Sequence, residues 1–312
     1  MMPFSNRRAF IKTAISGVAG MSLSQVIPAR AFAQAAAPGR IAATSLSDNL
    51  IRLTGAGANV VAMTGADGVV MVDGGLAEHS TALLQTVSGL PGGGRVHTLF
   101  NTCWFPEQTG SNQILGKAGA TIIAHENTRL WMTTDITRPW EKRTFLPVPK
   151  EACPNKTFYD TGAMTVGNER IEYGYMLQAH TDGDIYVYFS RSNVLAVGGV
   201  ISGEGWPMID WWTGGWIGGL VNGIDTLLKV SNAQTRIVPA SGPVLTHADL
   251  QAQHEMYRTI STRLQTLIRK GYSPDEAIAA QPTKEFNDKM GNPEMFLRLA
   301  FQSLWGQLTP DA

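Results

Sequence analysis

The chain has 312 residues, 44% of them hydrophobic and 16% charged, which is enough apolar material for one large core or two modest ones. Its 25 basic and 25 acidic side chains give a formal charge of +0, so no one-signed field gathers nucleic acid or anionic lipid, and no nucleic-acid partner is expected. Two cysteines, Cys103 and Cys153, exclude a disulfide framework and any four-cysteine zinc module, while leaving one bridge open to them in an oxidising compartment.

Asn6-Arg7-Arg8-Ala9-Phe10-Ile11-Lys12 precedes a weakly apolar stretch over residues 13–27, and Ala31-Phe32-Ala33 offers a small-x-small cleavage site ahead of Gln34. The pattern resembles a twin-arginine signal peptide. That resemblance implies the twin-arginine export machinery as a partner during translocation, folding before crossing, and residence in a bacterial periplasm. Residues 1–33 are therefore set apart from the fold. Beyond them, Gly, Asn and Asp break every apolar run before about 18 residues, the length a membrane-spanning helix requires.

The mature chain opens on strand-like segments at 49–54 and 60–64. A turn at Gly65-Ala66-Asp67-Gly68 then leads into a strand ending in Val72-Asp73-Gly74-Gly75. Apolar residues recur at helical spacing over 78–88, strand character returns at 96–101, and a helix over 110–115 precedes a strand over 121–124. A Pro-rich connection over 139–154 carries no clear period. Further strands are read at 164–166, 170–175, 185–189 and 194–197, a helix over 215–229, and a closing strand over 236–239. Residues 247–270, 274–280 and 293–308 read as helices. Two strand-rich halves with accompanying helices predict an α/β (α+β) chain built as an αββα sandwich over 34–246, with a C-terminal helical extension over 247–312 packed on it.

Five segments, taken in order, resemble the metallo-β-lactamase superfamily. They are Val72-Asp73-Gly74-Gly75, the run from Asn101-Thr102-Cys103-Trp104-Phe105 to Gly110-Ser111-Asn112, Gln178-Ala179-His180-Thr181-Asp182-Gly183-Asp184, Pro207-Met208-Ile209-Asp210, and Ile237-Val238-Pro239-Ala240-Ser241-Gly242-Pro243. The resemblance implies the αββα fold and a hydrolase whose two zinc ions activate water and hold the substrate. It also marks where the ligands would stand. Cys103 and Phe105 occupy the places of the first two histidines, Glu107 that of the aspartate and Gln108 that of the next histidine. Gly199 replaces the metal-bridging aspartate and Ser241 the last histidine, and only His180 stands unchanged. Thiolate, carboxylate and imidazole bind zinc well, whereas amide and hydroxyl oxygens and an aromatic ring do not, so no metal site is expected although the family uses zinc. If donors alone are missing, restoring them at these six positions would rebuild two sites around His180.

Two functions follow. One is a pseudoenzyme or small-molecule binding protein that keeps the pocket. The other is a divergent hydrolase of ester, lactone or β-lactam type, using a single rebuilt metal site or Cys103 and His180 as a catalytic thiol–imidazole pair. For the first, Trp104, Phe105, Glu107, Gln108, Trp206, Trp211, Trp212 and Ser241 are the expected ligand-binding residues, and their aromatic content points to an apolar or aromatic ligand. The same tryptophans serve equally as packing for the loop after residue 200. Asp182 and Asp184 are expected to bond backbone in their own turn, and His125 to be structural. His79, His97, His247 and His254 lack metal spacing and read as surface residues.

Overall fold

The computed structural model describes residues 40–308, so the signal-like segment lies outside the described residues. Strands β1 (Ala42–Ser45), β2 (Leu50–Thr54), β3 (Val60–Gly65) and β4 (Gly68–Val72) form an antiparallel meander. Helix α1 (Ser80–Ser88) then crosses to β5 (Val96–Phe100), and α2 (Pro106–Thr109) and α3 (Asn112–Lys117) lead to β6 (Thr121–His125), both strands adding in parallel. After α4 (Glu126–Met132) come a small hairpin, β7 (Ile136–Arg138) with β8 (Arg143–Phe145), and β9 (Lys156–Phe158), which closes the first sheet beside β6. A second sheet runs β10 (Thr161–Val166), β11 (Glu169–Tyr175), β12 (Ile185–Phe189), β13 (Val194–Gly198) and β14 (Arg236–Pro239), with α5 (Ile217–Val230) linking the last two in parallel. Four helices follow: α6 (His247–Arg269), α7 (Pro274–Ala279), α8 (Asn287–Met290) and α9 (Glu294–Leu308).

Strand periodicity sorts the apolar residues into three layers of core. Val61, Met63, Val70 and Val72 face Ile171, Val187 and Phe189 between the sheets. Their alternate neighbours Val60, Ala62, Val69 and Met71 meet Leu83 and Val87 of α1 on the outer side. The far face of the second sheet, with Leu195, Val197 and Ile237, packs on Ile224 of α5, Tyr257 and Leu264 of α6, and Phe301 of α9. Side chains alternate across a pleated strand, so a run buried at every position has a partner on both faces. The result is the expected αββα arrangement.

The helices after residue 246 are integral to the outermost core. A capping box between Thr246 and Asp249 starts α6, and Leu250, Tyr257, Ile260, Leu264 and Ile268 recur at helical spacing on its buried face. A second box, Ser273 with Glu276, starts α7. Three features depart from the sequence reading. The Pro-rich connection holds the β7–β8 hairpin, β9 joins the first sheet, and β1 extends it at the other edge. Strands of three or four residues are too short for alternation to stand out, and the partner of β9 lies some 30 residues upstream. Cys103 and Cys153 are both free thiols, bonded to the Gln108 side chain and the Pro149 carbonyl respectively, so the bridge open to them is not formed.

Because α6 shares the core of the second sheet, Leu264→Ala should lower the unfolding free energy by about 2–5 kcal/mol. Urea denaturation followed by both far-ultraviolet circular dichroism and tryptophan fluorescence should give coincident transitions. A loss confined to helical signal, with sheet unfolding unmoved, would mean that the extension folds separately.

Candidate functional site

The motif residues gather where strands of the two sheets end. At the end of β4 the backbone of Asp73 turns to φ +63°, and its carboxyl accepts bonds from the Thr102 backbone N–H at 2.8 Å and from the Thr102 hydroxyl at 2.8 and 3.0 Å. Burial raises the Asp73 pKa to about 7 despite the Thr102 donors that favour the anion. Gly198 at the end of β13 closes over this pair. Its φ is +58°, and a Cβ there would stand 2.6 Å from the Thr102 hydroxyl oxygen.

The loop after β5 is held as a closed unit. Asn101 and Asn112 exchange two side-chain amide bonds, at 3.0 and 2.8 Å, and Asn101 also donates to the Gln108 carbonyl. These bonds hold the loop that carries Cys103, Phe105, Glu107 and Gln108.

His180 is the centre of those groups. Asp184 accepts from the backbone N–H of both His180 and Thr181 at 2.6 Å, from the Thr181 hydroxyl at 3.1 Å, and from His180 Nδ1 at 3.1 Å. These four bonds fill the acceptor sites of one carboxylate. The contact engages Nδ1 with Asp184, while Nε2 makes no hydrogen bond among the described residues. One side of the ring lies against Gly199, where a Cβ would come 2.8 Å from Cε1 and Nε2. The Phe105 ring is 4.5 Å away, centroid to centroid.

Behind Phe105 sits a buried cation. The Arg138 guanidinium lies 3.8 Å from the Phe105 centroid, 4.6 Å from Trp104 and 5.0 Å from Phe145. Its Nε donates to Asp210 at 3.2 Å and its Nη1 to Glu141 at 2.9 Å, whereas Nη2 is buried without a partner. Burial raises the Asp210 pKa against the opposing pull of Arg138. An ion pair so desolvated survives because each charge has the other close by. Sequence reasoning missed Arg138, which stands on a three-residue strand with no pattern of its own.

A cavity of about 180 Å³ opens beside His180. Phe105, Glu107, Gln108, Trp206 and Ser241, five of the residues singled out in the sequence, line it together with His180 and Gly199. Gly57, Ala58, Ser202 and Met208 also line it and were not anticipated. Ser241 shares its hydroxyl with Ser202 at 3.1 Å, and the Trp206 indole donates to the Gly291 carbonyl and stacks on Phe296. Trp104 instead lines a neighbouring cavity of about 350 Å³, with Trp131, Phe145 and Arg143. His180 does not line this larger space. Trp211 and Trp212 lie off both cavities, packed against each other, with Trp140 on Trp211. Asp184 bonds backbone as expected, while the Asp182 side chain takes the Trp131 indole N–H at 2.6 Å. His125 caps α4 and stacks on Tyr175 at 3.8 Å. His79, His97, His247 and His254 are partly buried, contrary to the surface reading, and His254 pairs with Asp225 at 3.0 Å.

The donor set does not fit two zinc ions. Donor atoms of Cys103, His180 and Asp184 lie within 4.8 Å of one another, yet Asp184 is fully engaged by its hydrogen bonds. Burial first, then the Asp184 and Asp73 carboxylates, push the Cys103 thiol well above its ordinary pKa. Cys103 is also absent from the cavity wall. A Cβ at Gly199 would stand 2.8 Å from the His180 ring, so the aspartate that the resemblance implies at this position enters only if that ring shifts.

No protein-family model matches the chain, and no curated protein matches it either. Solved structures do. A metallo-β-lactamase from Pontibacter korlensis is 16% identical over 70% of this chain and 99% of its own, with a TM-score of 0.57. The DIM-1 metallo-β-lactamase is 14% identical over 70% and 98%, with a TM-score of 0.55. A stereoselective inverting sec-alkylsulfatase from a Pseudomonas species is 16% identical over 84% of this chain, with a TM-score of 0.62, and the match spans 50% of that enzyme. Identity this low carries the fold and nothing finer.

Two expectations follow. Gly199→Asp should cost about 1–3 kcal/mol in urea unfolding, because the His180 ring must be pushed off Asp184 to admit the new side chain; an unchanged stability would show that the ring has space to move. Asp73 and Asp182 have pKa values raised to about 7 and about 6, so the folded state holds their protons more tightly than the unfolded state does. Their contribution is complete below about pH 4 and is lost as pH rises through about 6 to 7. Asp73→Asn should flatten the decline in stability across that window, and an unaltered pH profile would contradict the assignment.

Proposed function

We propose that this chain of metallo-β-lactamase fold is an exported small-molecule binding protein that has lost metal-dependent hydrolysis. The observation that carries the reading is the packing of His180. Its imidazole is the one ligand-type group retained from the family pattern, and it lies between Phe105 and Gly199, where the family has a histidine and an aspartate. A catalytic zinc wants about three protein donors and an open position. Here the groups around His180 are an aromatic ring, a glycine, an amide, a buried thiol, the Glu107 carboxylate and an Asp184 carboxylate already filled with hydrogen bonds. The cavity remains, walled by Phe105, Trp206 and Met208, and suits a ligand with apolar or aromatic character. Export by the twin-arginine route to the periplasm is part of the same proposal and rests on the Arg7-Arg8 segment.

The thiol-hydrolase alternative has one observation in its favour. Asp184 stands behind His180 as the orienting carboxylate of a Cys–His–Asp series. Against it, the Cys103 sulfur is fully buried, off the cavity wall, and its ionisation is opposed by burial and by two carboxylates. A nucleophile must reach its substrate, so the geometry favours binding.

Protein purified without chelator should contain well under one zinc per chain by elemental analysis, and its melting temperature should not change when a strong chelator is added. Close to two zinc ions per chain, with a chelator-dependent melting temperature, would end the binding-protein reading.

A further inference from the structure

We propose that the cavity at His180 receives a small protonated amine whose ammonium group meets Glu107 and whose apolar part lies against Phe105, Trp206 and Met208. The inference rests on the binding reading above and names the ligand class. Glu107 is the only Asp or Glu lining the cavity, no Lys or Arg lines it, and the Glu107 side chain makes no hydrogen bond or ion pair among the described residues. The guanidinium on Phe105, that of Arg138, is already matched by Asp210 and Glu141. An unmatched carboxylate in a partly enclosed, low-dielectric space selects for positive charge.

The second acceptor is His180 Nε2. Nδ1 is engaged with Asp184 and Nε2 makes no hydrogen bond among the described residues, so the neutral ring that donates Nδ1–H to Asp184 offers a lone pair at Nε2. The Gln108 amide and the Ser241 hydroxyl are neutral, each able to serve as donor or acceptor. An N–H donor therefore finds two good acceptors in this wall, and an anion finds no cation. Phe105 and Trp206 give the ligand apolar ring surface, and the Trp206 N–H is already spent on the Gly291 carbonyl. At about 180 Å³ the cavity falls below the roughly 300 Å³ at which drug-sized sites begin, so the amine is small. The family-like frame is thereby turned from one built around metal cations to one that accepts a cation as ligand.

The test uses benzylamine, benzyl alcohol and benzoate, three probes of similar shape that carry positive, zero and negative charge at neutral pH. Binding is read by calorimetry and by quenching of tryptophan fluorescence in the full-length mature protein. Benzylamine should bind most tightly, benzoate should not bind, and Glu107→Gln should weaken benzylamine at least tenfold while leaving benzyl alcohol unchanged. Glu107→Asp should keep most of the preference, and both variants should melt as the parent does, since Glu107 makes no internal bond. Benzoate binding as well as benzylamine, or a Glu107→Gln variant that binds benzylamine as the parent does, would overturn the proposal. If benzyl alcohol and benzylamine bind equally in parent and variant, the charge preference fails while the binding reading stands. If none of the three binds, both fall.

Discussion

The Asp184 carboxylate organises the site. By taking two backbone N–H groups, one hydroxyl and the His180 Nδ1–H, it fixes the turn after β11 and the direction of the imidazole together. A buried carboxylate with every acceptor filled is stable where it is and poorly available for other work. Everything nearby adapts to that fixed ring. Gly199 leaves it space, Phe105 packs on it, and the cavity takes its shape from the remainder.

Charge balance in this region follows from the same arrangement. Asp73, Asp184 and Asp210 are all buried near the strand ends, a density of carboxyl groups that would be costly without compensation. Here Asp73 is pushed toward its neutral form by burial, Asp184 is satisfied by hydrogen bonds, and Asp210 is paired with Arg138. These are three local solutions, and each draws on residues close to the acid in space.

Much of the architecture was readable because strand alternation and turn residues are local signals. The segments at 60–64, 185–189 and 236–239 fall close to the strands observed, and the αββα order follows from them. Motif spacing also singled out Phe105, Glu107, Gln108, His180 and Ser241, which line one cavity. The rest depended on long-range geometry. Trp211 and Trp212 are as dense in sequence as any aromatic cluster, yet adjacency says nothing of direction, and they face Trp140 and solvent instead of the cavity. Arg138 reaches the Phe105 ring from a hairpin too short to be anticipated, and Gly199 looks like a simple loss of a ligand until the His180 ring is seen beside it. Local consistency specifies elements, while a site is set by contacts between elements far apart in the chain.

The claim on which the account turns is that His180 is a hydrogen-bonded wall of a binding cavity and not a zinc ligand. Nitrogen-15 spectra of the histidine side chains, recorded with and without one equivalent of zinc, address it directly. The account predicts that His180 carries its proton on Nδ1 with a non-protonated Nε2, and that neither resonance moves when zinc is added. A metal-dependent shift of His180 Nε2 at stoichiometric zinc would contradict it.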